Sequence, residues 1–217
     1  MQALAPRPRQ LTHATLRAAT RALCARDAAL AGIVRRLGTP PLWGRRPGYP
    51  TLVRIILEQQ VSLAAARTMY ARLHHAAGTV TPESVARLGI PGLRQLGLTG
   101  QKASYCVELA ATLLSGELDL TVVARATGED GRLRLLEVRG LGPWSVDIYF
   151  LMALRRPDVW PHGDLALAEA VFRVKRMRAR PGHATLTQFA ERWAPWRAVA
   201  ARILWSHYLS LRPARPR

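Results

Sequence analysis

Two glycines spaced one apart, a proline and a lone carboxylate carry the first chemical signal in this chain. The glycines lie in Val138-Arg139-Gly140-Leu141-Gly142-Pro143-Trp144-Ser145, and the carboxylate, Asp164, follows Trp144 by twenty residues among Trp, Pro, His and Gly. Glycine permits a sharp turn and lets bare amides approach a ligand, and Pro143 suits the first position of a helix. Two helices joined by such a turn point several amides, and the positive end of a helix dipole, at one phosphate. A purely structural helix–helix turn needs a single glycine at the C-terminal cap. The second glycine, Pro143 and the adjacent Arg139 favour the phosphate grip. Such a contact positions a nucleic acid without reading its sequence. The fragment also imitates the dinucleotide fingerprint as G-x-G-x-x-S, but no strand precedes it and serine replaces the last glycine.

The elements around these residues read as helices. Apolar positions recur at helical spacing through TLRAATRALCARDAALAGIVRRL, giving two helices broken near Arg26-Asp27. The Pro- and Gly-rich stretch GTPPLWGRRPGY is a loop and a lobe boundary. Pro50 opens the helix TLVRIILEQ, and Ser62 caps the next, SLAAARTMYARLHHAAG. Between them Gln59-Gln60-Val61 forms a tight break whose two amides have no packing purpose. Thr81-Pro82-Glu83 starts a further helix, GLRQLG continues as a short one, and GQKASYCVELAATLL is amphipathic. Residues 130–137 lead into the glycine turn and 143–154 leave it. Asp164 stands at the cap position of LALAEAVFRV, where an aspartate read alone is a helix cap. Two helices fill 185–211, and nothing alternates with period two.

The expected fold is all-α, about ten short helices. One domain spans 1–217: lobe one about 48–155, lobe two about 11–45 plus 160–211, with 1–10 and 212–217 as loose tails.

Charge narrows the partner. Thirty-two Lys and Arg face 14 Asp and Glu, a formal +18, in a chain that is 49% apolar. That field attracts polyanions, and nucleic acid leads. An anionic membrane surface would be attracted too. However, no apolar run is long enough to span a bilayer, and MQALAPRPRQ lacks the apolar core of a signal peptide. Two distant cysteines, Cys24 and Cys106, exclude a four-cysteine zinc site or iron–sulfur cluster and point to a reduced, cytoplasmic setting.

The stretch LEVRGLGPWSVDIYFLMA with Asp164 beyond it resembles the helix-hairpin-helix plus Gly/Pro-rich loop plus Asp signature of the base-excision DNA glycosylases. ILEQQVSLAAA (56–66), GLTGQKASYCVELA (97–110) and AERWAPWRAVAARILW (190–205) resemble its AlkA-type branch, the 3-methyladenine DNA glycosylase II proteins. These stretches keep the family's order and cover about 45–210, and the resemblance implies two helical lobes around a DNA-binding cleft with a helix-hairpin-helix motif. The additional N-terminal domain usual in that branch is not expected here, which makes this the compact form.

The resemblance implies a monofunctional glycosylase that flips alkylated purines of the 3-methyladenine and 7-methylguanine type out of double-stranded DNA and leaves an abasic site. Asp164 becomes the catalytic residue, stabilising the oxocarbenium-like sugar and orienting water. Trp144 stands where lyase relatives carry a Schiff-base lysine, so no strand cleavage is implied. Trp144 and Trp205 match aromatic pocket walls. Ile148 and Leu165 replace tyrosine-like positions, which implies a wider pocket or weaker stacking. Val138, Arg139, Gly140, Leu141, Gly142, Trp144 and Ser145 form the DNA-binding hairpin. Gln59-Gln60 resembles the loop that fills the gap left by the flipped nucleotide; a merely polar helix break is the other reading. Carbonyls of Leu136, Val138 and Leu141 would hold a structural Na+ or K+, and no cofactor is required. Arg139, Lys102, Arg45 and Arg46 are candidate phosphate contacts, and His162 is unassigned. A monomer acting on damaged DNA in the cytoplasm is implied. The alternative is a non-catalytic helix-hairpin-helix module that binds distorted duplexes.

Overall fold

A computed structural model describes residues 10–126 and 129–211. Of the expected tails, 1–10 and 212–217, residues 1–9 and 212–217 lie outside them. The described residues form twelve helices and no strand: α1 (His13–Arg26), α2 (Ala28–Leu37), α3 (Tyr49–Glu58), α4 (Leu63–Ala77), α5 (Pro82–Gln95) and α6 (Gly100–Leu114), then α7 (Leu120–Arg125), α8 (Asp130–Leu136), α9 (Pro143–Met152), α10 (Leu165–Val174), α11 (His183–Arg192) and α12 (Arg197–Ser210). None is long and apolar enough to cross a membrane.

The expected caps form. Ser62 accepts from the Ala65 amide and Thr81 closes a capping box on α5, while Thr12, not singled out from the sequence, closes another on α1. Asp27 ends α1 and begins α2, accepting from the Ala29 and Leu30 amides at 3.0 and 3.2 Å. Two features differ from the sequence reading. The helices expected after Thr81 and at GLRQLG are one element, kinked at Gly89 with its φ of 61°. The helix α7 was not foreseen, because the β-branched Thr121-Val122-Val123 argues against helix. Its signal was Asp119, whose carboxylate accepts from the Thr121 and Val122 amides at 2.7 and 3.4 Å.

The chain divides into two compact units, with the boundary inside α9 between Tyr149 and Phe150. The unit from Arg45 to Tyr149 packs α3 against α4 and α6, α5 against α6, and α7 against α8. Its core holds Leu52, Ile55, Ile56, Leu73, Val85, Leu93, Leu109, Leu135 and Val146. Within this core Tyr49 donates its hydroxyl to the Cys106 carbonyl at 2.9 Å, and burial pushes the Cys106 thiol up to about 12. This cysteine is therefore an inert packing residue at neutral pH.

The other unit joins residues up to Gly44 with those from Phe150 onward. There α12 is the hub, packed on α1, α2, α10 and α11. Its Arg202 is fully buried and donates to the Trp43 and Leu151 carbonyls at 2.7 and 3.0 Å. Burial, with help from the Arg155 charge, lowers its pKa to about 10, so it stays a cation at neutral pH. Asp27 is a second anchor: it pairs with Lys175 at 2.8 Å and accepts the Trp193 indole N–H at 2.9 Å. Burial alone would raise its pKa, but the bonds from Lys175, Trp193 and Leu30 and the Lys175 charge outweigh it and hold it below the ordinary value.

Candidate functional site

The glycine turn joins α8 to α9 as a tight hairpin. After Leu136 the chain turns through Glu137 and Val138, and the Leu141 amide donates back to the Val138 carbonyl at 3.0 Å. Gly140 takes a φ of 92°, and a Cβ there would lie 2.6 and 2.7 Å from Tyr105 Cδ2 and Cβ and closer still to Cγ. Both the turn and the ring therefore demand glycine at this position. Gly142 is different: its φ is not positive, and a Cβ there would meet nothing within 4 Å. Its carbonyl accepts the first α9 bond, from the Val146 amide at 3.1 Å, so it is the N-cap and Pro143 the first helical residue. Packing within the protein leaves Gly142 open and exposed. A backbone phosphate approaching the amides after the turn would use that space.

The other hairpin side chains divide by burial. Val138 and Leu141 point into the core, and Trp144 is half-buried. Arg139 is 72% exposed and pairs with Glu108 at 2.8 Å, lying over the Tyr105 ring. Ser145 is 2% exposed, and its hydroxyl accepts the Gln59 amide at 2.8 Å. Two residues further on, Asp147 is buried and paired with Arg132 at 2.7 Å, an ion pair between α9 and α8 that clamps the hairpin's two arms. For Arg132, burial pulls the pKa down, but the Asp147 charge and hydrogen bond outweigh it and the net shift is upward.

The two glutamines of the α3–α4 break part company. Gln59 is half-buried, and its Nε2 donates both hydrogens, to the Gly140 carbonyl and to Ser145 Oγ, each at 2.8 Å. Gln60 is exposed with a φ of 56°, in the left-handed region. Behind it Val61 and Leu63 stand 41% and 50% exposed.

In the other unit Asp164 caps α10. Its Oδ1 accepts the Leu167 amide at 2.9 Å and the Trp205 indole N–H at 3.2 Å. Two expected site residues, Asp164 and Trp205, are thereby brought together, the carboxylate half-buried and the indole mostly so. Leu165 is 77% exposed and lines a surface cavity of about 330 Å³ with Glu169, Arg173, Arg180, Tyr208 and Leu211. Ile148 is buried within α9 at 4% exposure. His162 lies 5.4 Å from the His183 ring.

Of the cations considered for phosphate contact, Lys102 and Arg45 have other partners. Lys102 is buried and donates to the Leu57 carbonyl at 2.7 Å, and burial lowers its pKa. Arg45 grips both Glu58 oxygens at 2.7 and 3.0 Å. Neither partnership can be read from spacing, because each joins separate elements of the tertiary fold. Arg46 is exposed.

Residues 53–195 match the family model described as HhH-GPD superfamily base excision DNA repair protein. A DNA-3-methyladenine glycosylase of Bacillus subtilis (strain 168) is 26% identical over 184 residues, which cover 79% of this chain and 59% of that protein. The chain spans about three fifths of the length of the Bacillus subtilis relatives it matches. The crystal structure of a DNA-3-methyladenine glycosidase from Bacillus halodurans superposes with a TM-score of 0.76 at 27% identity, covering 88% of each chain. The Schizosaccharomyces pombe 3-methyladenine DNA glycosylase in complex with abasic DNA superposes with a TM-score of 0.76 at 25% identity, covering 87% of this chain and 95% of that one.

Proposed function

Because the chain belongs to the HhH-GPD superfamily of base excision DNA repair proteins, we propose that it is a monofunctional DNA glycosylase acting on alkylated purines in duplex DNA. The observation that carries the reading is the carboxylate of Asp164, fixed at the head of α10 by the Leu167 amide and the Trp205 indole. A carboxylate held in one orientation can stabilise positive charge as it develops on a deoxyribose and can orient the attacking water.

The chemistry is a hydrolysis. The bond between C1′ and the base nitrogen breaks, and its electron pair leaves with the base. Water oxygen bonds to C1′, and the water's proton passes to Asp164 or to solvent. A base alkylated on a ring nitrogen, such as 3-methyladenine or 7-methylguanine, is cationic and departs neutral, so it needs no general acid. Trp205, beside Asp164, supplies an aromatic face of the kind that attracts a flipped cationic base. The hairpin amides around Gly142 hold a backbone phosphate, and a monovalent cation on the carbonyls of Leu136, Val138 and Leu141 would brace that turn. Val138 already spends one lone pair on the Leu141 amide, which leaves the other for an ion.

Asp164→Asn tests the assignment: release of 7-methylguanine from methylated duplex should vanish while duplex affinity stays near wild type. Unchanged release would remove Asp164 from catalysis. If the unsubstituted protein binds duplexes with an abasic analogue but releases no base from any alkylated duplex, it is a binding module and not an enzyme.

A further inference from the structure

The break between α3 and α4 is fastened on one side and bare on the other. The Leu57 carbonyl is held by Lys102, the Glu58 carboxylate by Arg45, and the Gln59 amide by the hairpin. The next residue, Gln60, takes a left-handed conformation that non-glycine residues rarely adopt, and it is exposed. Such a conformation persists where the surroundings over-determine it. The exposed apolar residues Val61 and Leu63 follow directly, at the head of α4. An exposed side chain on a rigid tip, backed by apolar groups, suits entry into a base stack.

We infer that Gln59 is a positioning residue that couples the phosphate-gripping hairpin to the tip formed by Gln60 and Val61. The orientation of its amide is settled by chemistry. A carbonyl cannot donate, so the group facing the Gly140 carbonyl must be the NH2 end. Each of its two hydrogens then has its own acceptor: the Gly140 carbonyl at the turn and the Ser145 hydroxyl in the first turn of α9. The amide therefore spans the point where the hairpin reverses. A hairpin docked on phosphate fixes the Gly140 carbonyl and Ser145, and through Gln59 it fixes the tip that must displace a nucleotide. Without the tether the hairpin still grips the backbone, but the tip meets the stack in many orientations. Gln59 thus acts on opening the duplex and not on bond breaking. This role rests on the glycosylase reading for its consequence, and on geometry alone for its existence.

The test compares the full-length wild type with Gln59→Leu and Ser145→Ala. The first reporter is 2-aminopurine beside a tetrahydrofuran abasic analogue in duplex DNA, which brightens as the stack opens and involves no chemistry. The second is the single-turnover release of 7-methylguanine, either paired with cytosine or opposite an abasic gap where little unstacking is needed. Gln59→Leu loses two hydrogen bonds, so it should slow release from the paired duplex about 30-fold and shrink the fluorescence rise. Duplex affinity, dominated by phosphate contacts, should change less than about threefold. Release from the gapped duplex should stay near wild type. Ser145→Ala, which loses one acceptor, should slow release from the paired duplex by a smaller factor and gives the answer if Gln59→Leu does not fold. Wild-type release and fluorescence on the paired duplex would overturn the inference. So would equal losses on paired and gapped substrates, the mark of a general structural defect. If the wild type releases no base, the glycosylase reading fails while the fluorescence arm still decides the coupling.

Discussion

The two glycines of the hairpin should respond to the same substitution in opposite ways. At Gly140 a methyl group would enter the Tyr105 ring, within 2.7 Å of its Cβ, on a backbone with a φ of 92°. The left-handed conformation costs a non-glycine residue about 1–2 kcal/mol, and overpacking adds about 1–3 kcal/mol. Gly140→Ala should therefore lose about 2–5 kcal/mol, which for a chain of this size lowers Tm by about 10 °C. At Gly142 a methyl group meets nothing within 4 Å. The only cost is a poorer N-cap for α9, about 1 kcal/mol or less. What Gly142→Ala should lose is DNA. A Cβ in the path of the phosphate removes a charge-assisted hydrogen bond of about 1.5–3 kcal/mol, a 10- to 100-fold rise in Kd. Differential scanning calorimetry and fluorescence anisotropy with an abasic-analogue duplex measure the two effects separately. A large stability loss at Gly142 together with unaltered affinity would refute the phosphate grip and leave the second glycine a packing requirement.

Three further outcomes are expected. Sodium borohydride should trap no covalent adduct between the protein and damaged duplex, and strands should break only after alkali or heat, because the indole of Trp144 cannot form an imine; a trapped adduct would refute the monofunctional reading. Lys102→Met keeps the buried volume but leaves the Leu57 carbonyl without its donor, so stability should fall by about 2 kcal/mol. A loss below about 0.5 kcal/mol in denaturant titration would show that water replaces the ammonium. His207 is buried, and Arg36 donates to its Nδ1 at 2.7 Å; burial, then the charges of Arg36 and Arg173, hold its pKa below the ordinary value. The unfolded chain therefore takes up the proton first. Stability from this residue is complete above the unfolded pKa of about 6.5 and declines as pH falls toward the folded value. Thermal midpoints between pH 7.5 and 5 should fall in the wild type and flatten in His207→Gln, whereas parallel curves would exclude His207 as the source.

The sequence by itself determined the local elements and the identity of the chemistry-bearing groups. Helical periodicity, the caps at Ser62, Thr81 and Asp164, and the glycines flanking Leu141 are local properties, since capping and turn geometry depend on residues three or four apart. One helix, α7, escaped because its weak intrinsic propensity is overridden by the Asp119 cap and by packing of Val123 into the core. The tertiary structure decided which of the similar groups does what. Gln59 and Gln60 are chemically identical neighbours, yet one is tied to the hairpin and the other presented to solvent. Gly140 and Gly142 serve the same motif, yet only Gly140 lies under a ring supplied from α6. Lys102 and Arg45 share the charge of every other cation in a chain of formal +18, yet both are bound to α3. In each pair the distinction comes from a partner far away in the chain, and local sequence pattern carries no record of contacts that form only when the helices pack.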